Sequence, residues 1–167
     1  IMTTIPRLVA VLGALGWLEN ARRPRFYSVQ SDGCAPLVRA FERGERFAAP
    51  FPEPRTVASG LRVPRAVADF LILDAVRRSG GACIAAAEDA LLPWMRRASA
   101  LEGIGLCPES AACLVALEEL VRRGTIRRDE RVVVFNTGAA QKYVECLPGD
   151  LPRLAHGMEP DWDALAR

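Results

Sequence analysis

The segment Phe135-Asn136-Thr137-Gly138 places a hydroxyl and a glycine directly after the most apolar run of the sequence, RVVVFN (131–136). A hydroxyl at the carboxyl end of a buried strand, followed by a residue that lets the backbone approach closely, can hydrogen-bond a planar ligand. The same pattern suits a turn that Thr137 caps and Gly138 completes. Spacing alone favours the turn, and the ligand-binding interpretation stays open.

A second candidate is the run Thr56-Val57-Ala58-Ser59-Gly60-Leu61, which lies between a proline-containing stretch and a predicted helix. The small residues Ala58, Ser59 and Gly60 would allow a ligand ring close to the chain, but a tight turn uses the same residues.

Charged candidates are few. Pro108-Glu109 begins a predicted helix, where proline and an acidic residue are ordinary start signals, although Glu109 is also a candidate for a buried carboxylate that faces a ligand. Lys142 is the only lysine and His156 the only histidine. Both lie in polar or Pro- and Gly-containing stretches, so we expect them at the surface.

The sequence contains no dinucleotide or P-loop glycine motif, no HExxH and no GxSxG. The five cysteines form no CxxC and match no zinc spacing, so reduced thiols that act mainly as small core residues are expected. The formal net charge of +2 comes from interleaved charges and indicates neither a nucleic-acid nor a membrane surface. We therefore expect a cytoplasmic protein.

Helices and strands alternate along the chain. The sequence predicts strands over 25–30, 82–87 and 131–136, and helices over about 5–18, 34–43, 64–79, 88–101 and 109–123. The apolar run at 8–18 lacks a signal-cleavage site and predicts a buried helix. This order is typical of an α/β three-layer sandwich with a mostly parallel sheet, in which ligands bind at the carboxyl ends of strands.

Five stretches, in this order, resemble threonine synthase of the pyridoxal-phosphate-dependent, tryptophan-synthase-β-like class (fold type II). They are ALGWL (14–18), PRFYSVQSDGCAPLVRAFERG (24–44), TVASGLRVPRAVADFLILDAVRRSGG (56–81), EGIGLCPESAACLVALEELVRRGTI (102–126) and RVVVFNTGAAQKY (131–143). The resemblance implies a partial copy of the large domain of that fold, with residues 1–143 as the C-terminal part of the cofactor-binding domain and 144–167 as a tail.

The resemblance also implies a chemistry, the conversion of O-phosphohomoserine and water into threonine and phosphate by a pyridoxal 5'-phosphate-dependent lyase. It places Thr137 at the hydroxyl that meets the pyridine nitrogen of the cofactor. Ala58, Ser59 and Gly60 match a segment beside the ring, and Glu109 matches a carboxylate close to the same site. No catalytic residue is expected in this chain.

The sequence departs from the family pattern in several places. The reactive lysine and the glycine-rich phosphate loop of the family belong to an N-terminal half that this chain is expected to lack. Ser110 replaces a glycine, and Ala140 and Gln141 replace a glycine and an apolar residue. We expect the parent protein to be a homodimer and the chain alone to be inactive.

Two other functions fit the same residues. A related pyridoxal-phosphate enzyme, such as a threonine dehydratase or a cysteate synthase, would share these stretches. A catalytically dead, free-standing relative could instead serve as a binding or assembly module.

Overall fold

The computed structural model describes residues 4–20, 22–147, 156–157 and 159–165. The longer elements are α1 (Thr4–Ala14), β1 (Ser28–Ser31), α2 (Pro36–Glu42), α3 (Asp69–Ser79), β2 (Cys83–Ala86), α4 (Leu91–Glu102), α5 (Pro108–Arg122) and α6 (Trp162–Leu165). Short 3₁₀ turns lie at Ser59–Leu61, Glu88–Ala90, Ala140–Lys142 and Val144–Cys146. Much of the predicted tail, 144–167, lies outside the described residues, and its separation from 1–143 stays a prediction.

The predicted α/β class with a parallel sheet is confirmed. β1 and β2 pair in parallel, with Ser28 opposite Cys83 and Ser31 opposite Ala86, so their carboxyl ends meet at one edge. Successive residues of a strand point to opposite faces. Cys83 packs with the α2 and α3 residues, whereas Ile84 packs with Ala116 and Leu120 of α5. Helices therefore cover both faces of the sheet.

The third predicted strand does not form. Residues 131–138 have no regular structure, and the sheet of the described residues has two strands. The segment lies beside Tyr27 and Val29, on the β1 side of the sheet, with a cavity between. Val133 is 78% exposed and Phe135 is 50% exposed. A run of β-branched residues becomes a strand only with a hydrogen-bonded neighbour and cover for its side chains. Among the described residues this segment has no ladder partner, and Val133 and Phe135 are largely uncovered.

The first helix is present, but its predicted burial is wrong. The apolar periodicity correctly indicates a helix, which ends at Ala14 and is followed by Gly16 at φ 69°. None of its residues is buried, and Trp17 just beyond it is 74% exposed. Periodicity reports which face could be buried, and burial needs an opposing element. In the part of the chain that is described, no helix has the length and apolarity to cross a bilayer.

The other boundaries shift by a few residues. The largest change is at α3, which begins at Asp69 and not at residue 64, because Ala68 has a left-handed φ of 63° that interrupts the helix. Gly44 follows α2 as the expected stop, at φ 70°. The helix predicted over 109–123 is α5, and three of its six buried residues are alanines.

Candidate functional site

A hydrogen-bond network at the carboxyl edge of the sheet fixes the loop that precedes Ala58. The Glu88 carboxylate, just after β2, accepts hydrogen bonds from the Ser31 hydroxyl and, at 2.6 Å, from the Val57 N–H. The Glu88 N–H donates to Asp32 Oδ1 at 3.2 Å, and the Arg55 N–H donates to the Gly33 carbonyl at 2.9 Å. Residues 55–57 are thereby tied to the ends of both strands. Nothing in the sequence singled out Glu88.

Glu109 joins this loop to the first turn of α5. Its Oε1 atom accepts hydrogen bonds from the Gly60 N–H and from the Tyr143 hydroxyl, each at 2.8 Å. A Cβ atom on residue 60 would lie 2.8 Å from the same oxygen, so the absence of a side chain lets the carboxylate approach the amide. Ser59, next to Gly60, lowers the pKa of the Tyr143 hydroxyl, although the larger effect of Glu109 raises it. The structure thus brings Ser59, Gly60 and Glu109 together.

These contacts keep Glu109 ionised. Burial, the largest single effect, raises the pKa of its carboxyl. Hydrogen bonding to the carboxylate, led by the Tyr143 hydroxyl and including the Gly60 N–H, outweighs that effect, so the pKa lies below its ordinary value. The Glu109 carboxylate in turn raises the pKa of the Tyr143 hydroxyl. The pair therefore consists of a carboxylate and a neutral phenol at neutral pH.

Thr137 is positioned by its neighbours in sequence. The Ser110 hydroxyl, fully buried in α5, donates to Asn136 Oδ1 at 2.9 Å. Gly138 lies so close to Cys107 that an added Cβ would be 3.1 Å from the sulfur. Beyond it, the Ala140 N–H donates to the Gly105 carbonyl at 2.9 Å. The departure from glycine at Ser110 therefore adds a hydrogen bond that holds the segment.

A cavity of about 260 Å³ lies between β1, α5 and residues 132–137. Its lining is mostly apolar, including Val29 and Leu61, and its polar side chains include those of Thr137 and Glu109. Thr137 is exposed, so a ligand could reach this residue from solvent. Two residues predicted from separate segments thus line one cavity beside β1.

The three small residues behave differently from one another. Ala58 is fully buried and packs with Ala86, Leu91 and Ala112, which makes it a core residue. Ser59 and Gly60 are exposed and reach the cavity through Glu109 and not directly. Their predicted contact with a cofactor, like that of Thr137 and Glu109, stays a prediction.

The remaining expectations concern single residues. Lys142 is exposed, and so is His156, as predicted. All five cysteines are free and four are buried, which confirms their role as core residues. Burial raises the pKa of the Cys83 thiol to about 12. Glu88, Ser110 and Tyr143 are the site residues that sequence reasoning missed, because a single polar residue outside a known motif gives no pattern to detect.

Known proteins match this chain in sequence and in fold. A family model described as pyridoxal-phosphate-dependent enzyme matches residues 10–138. Threonine synthase of Methanosarcina acetivorans is 36% identical over 115 residues, which cover 69% of this chain and 28% of that protein. Threonine synthase of Methanocaldococcus jannaschii is 33% identical over 119 residues, covering 71% of this chain and 29% of that protein. The chain thus spans under a third of the length of these relatives.

A solved structure supports the fold. A threonine deaminase from T.th. superposes with a TM-score of 0.53 at 21% identity, over 73% of this chain and 52% of that one. At that identity the likeness concerns architecture alone. The family match over residues 10–138, which is most of the chain, shows that the chain belongs to the pyridoxal-phosphate-dependent enzymes.

Proposed function

We propose that this chain supplies one wall of the cofactor site in a threonine synthase-like lyase, which converts O-phosphohomoserine and water into threonine and phosphate. The observation that carries the proposal is the cavity beside β1 that Thr137 and Glu109 both line. The threonine synthases that match over more than two thirds of this chain support the reaction.

The described residues fit the ring of pyridoxal phosphate. A planar aromatic ring needs apolar walls, which Val29 and Leu61 provide, and its nitrogen needs a polar partner, which the Thr137 hydroxyl can be. Neither a glycine-rich phosphate cradle nor a lysine lines this cavity, since Lys142 is exposed and lies elsewhere. Both would come from the N-terminal half that the resemblance places outside this chain.

Thr137 would set the electronic properties of the ring. When bound, pyridoxal phosphate withdraws electrons from the substrate carbon and so stabilises negative charge there. A hydroxyl that donates to the ring nitrogen leaves that nitrogen unprotonated and moderates the withdrawal. Glu109, held as a carboxylate by Gly60 and Tyr143, keeps a fixed negative charge on the wall of the same cavity. In this proposal these residues bind and orient the cofactor, and none of them breaks a bond.

The test uses the protein as its gene encodes it, supplied with pyridoxal phosphate. Thr137→Val keeps the shape and removes the hydroxyl, whereas Thr137→Ser keeps the donor. Losing one hydrogen bond to a buried acceptor costs about 1–3 kcal/mol, so the cofactor affinity of Thr137→Val should fall modestly. Turnover of O-phosphohomoserine, measured as phosphate release, should fall further, because the reaction depends on the ring. Equal turnover by both variants would make Thr137 a turn residue only.

Parallel assays separate the alternatives. A threonine dehydratase would form a 2-oxo acid from threonine without releasing phosphate, and a cysteate synthase would need sulfite. A dead module would turn over none of these substrates. The homodimer and the cytoplasmic location remain part of the same proposal, and sedimentation of the encoded protein would test the first of these.

A further inference from the structure

The residues that follow Thr137 return to the site. The 3₁₀ turn Ala140–Lys142 is anchored by Ala140, which is buried against Met95 and Ala111 and donates its N–H to Gly105. The Tyr143 N–H donates to the Ala140 carbonyl at 2.8 Å. Tyr143 therefore extends from a fixed turn, six positions after Thr137, towards Glu109.

The orientation of Glu109 depends on few contacts. Oε1 accepts two hydrogen bonds, one from the Gly60 N–H and one from the Tyr143 hydroxyl. Oε2 is buried and has no hydrogen-bond partner among the described residues. Since a glutamate side chain has several rotatable bonds, one well-placed donor on a rigid segment decides where its carboxylate lies.

We propose that Tyr143 is a positioning residue of this site: its hydroxyl holds Glu109 against the Gly60 N–H and thereby fixes the Ser59–Leu61 turn relative to Thr137. The Gly60 N–H donates to the same Oε1 atom of Glu109, so this carboxylate oxygen joins the Tyr143 hydroxyl to the turn. The relevance of Tyr143 to a cofactor rests on the proposed function, whereas the hydrogen-bond chain itself does not.

The first measurement uses the 167-residue chain without cofactor. In Tyr143→Phe, hydrogen exchange of the Gly60 amide should accelerate about fivefold, the factor that corresponds to one ordinary hydrogen bond, and its proton resonance should shift upfield. Lys142→Ala is the matched control, because that side chain is exposed in the adjacent turn, and it should leave Gly60 unchanged. Unchanged Gly60 behaviour in Tyr143→Phe would overturn the proposal.

A second measurement applies if Tyr143→Phe does not fold. Tyr27 is the other of the two tyrosines, so Tyr27→Phe leaves Tyr143 as the only phenol that titrates. Its absorbance change should occur above the ordinary pKa of 10.0, and Glu109→Gln should move it back. A phenol that titrates at the ordinary value in Tyr27→Phe would show that the Glu109 contact is absent, which overturns the proposal.

The link to the cofactor is tested separately, by the visible absorbance of pyridoxal phosphate bound to the protein as its gene encodes it. Tyr143→Phe should weaken cofactor binding severalfold, and Lys142→Ala should not. If Thr137→Val weakens binding and Tyr143→Phe does not, the positioning role is overturned. If neither variant changes binding while Gly60 responds in the free chain, the proposed cofactor site fails and the hydrogen-bond role of Tyr143 stands.

Discussion

Two regions of the molecule differ in how completely their side chains find partners within the chain. The carboxyl edge of the sheet, with Glu88 and Glu109, is cross-linked by hydrogen bonds between segments far apart in sequence. The apolar margin, which we define as residues 8–18 and 131–135, leaves Leu15, Trp17 and Val133 largely exposed. The first region holds its shape from contacts within the chain, whereas the second offers surface that nothing in the described structure covers.

The difference concerns what each kind of interaction requires. A hydrogen bond needs one partner in the right place, and the loops around the two strands supply it. Burial of an apolar surface needs a whole opposing layer, and contiguous exposed apolar patches mark surfaces that bind other structure. This chain can therefore form the site wall by itself, whereas the apolar margin needs an opposing layer to be buried.

Glycine substitutions give the largest expected contrast. A methyl group on Gly33, at the carboxyl edge, would lie 1.8 Å from the Arg55 carbonyl oxygen, so Gly33→Ala should destabilise the fold by about 3 kcal/mol. Gly13 lies in α1, where an added Cβ would meet only Leu18 at 3.7 Å. Gly13→Ala should stabilise by about 0.5 kcal/mol, because alanine is the better helix former. Urea unfolding measures the stability change in each variant. If both variants were destabilised, the predicted difference between the two regions would be wrong.

Association of the chain tests the apolar margin. Val133→Thr keeps a β-branched side chain while adding a hydroxyl, and unfolding free energy should change by no more than about 0.5 kcal/mol. Concentration-dependent association in sedimentation velocity should weaken, because Val133 is exposed within a group of apolar residues. Val67→Thr is the matched control: Val67 is 91% exposed but lies outside the margin. Equal effects of the two variants would contradict a specific surface.

The helices and strands were predicted well from the sequence, whereas the burial of each element against its neighbours was predicted poorly. Helices α2 and α5 and both strands follow from periodicity and from stops such as Gly44. The burial of α1 and the strand at 131–136 could not be decided locally, since both depend on neighbours that periodicity does not report. The same limit explains why Ala58, chosen for its small size, is a core residue.

The sequence singled out candidate site residues where they follow or begin a predicted element, and their contact with a cofactor stays a prediction. Thr137 and Glu109 were singled out from different segments, and they line one cavity. Glu88, Ser110 and Tyr143 were missed, since each acts through a partner at least 26 residues away, at Val57, Asn136 and Glu109. Such pairs exist only in the fold, and a single sequence contains no signal for them.

The smallest expected effect is the pH dependence that Glu109 contributes at the carboxyl edge. Burial and hydrogen bonding oppose each other there, and the net result is a pKa lowered from 4.5. A group with a lowered folded-state pKa stabilises the fold above its unfolded value and loses that contribution as the pH falls through the folded-state value. The stabilisation by Glu109 should therefore be complete above about pH 5 and decline below the unfolded value.

Comparison with Glu109→Gln isolates this contribution. Glu119 also contributes to the loss of wild-type stability in acid. Hydrogen bonds from Arg122 and Arg123 lower the pKa of Glu119 to about 2, so the pH dependence of the wild type alone does not isolate Glu109. Glu119 is unchanged in Glu109→Gln, and its contribution cancels in the difference between the two proteins. That difference in unfolding free energy should be constant from pH 7 to about pH 5 and should shrink as the pH falls further. A difference that grows on acidification would mean that Glu109 is held protonated, and the carboxylate at Gly60 and Tyr143 would have to be reassigned as a neutral acid.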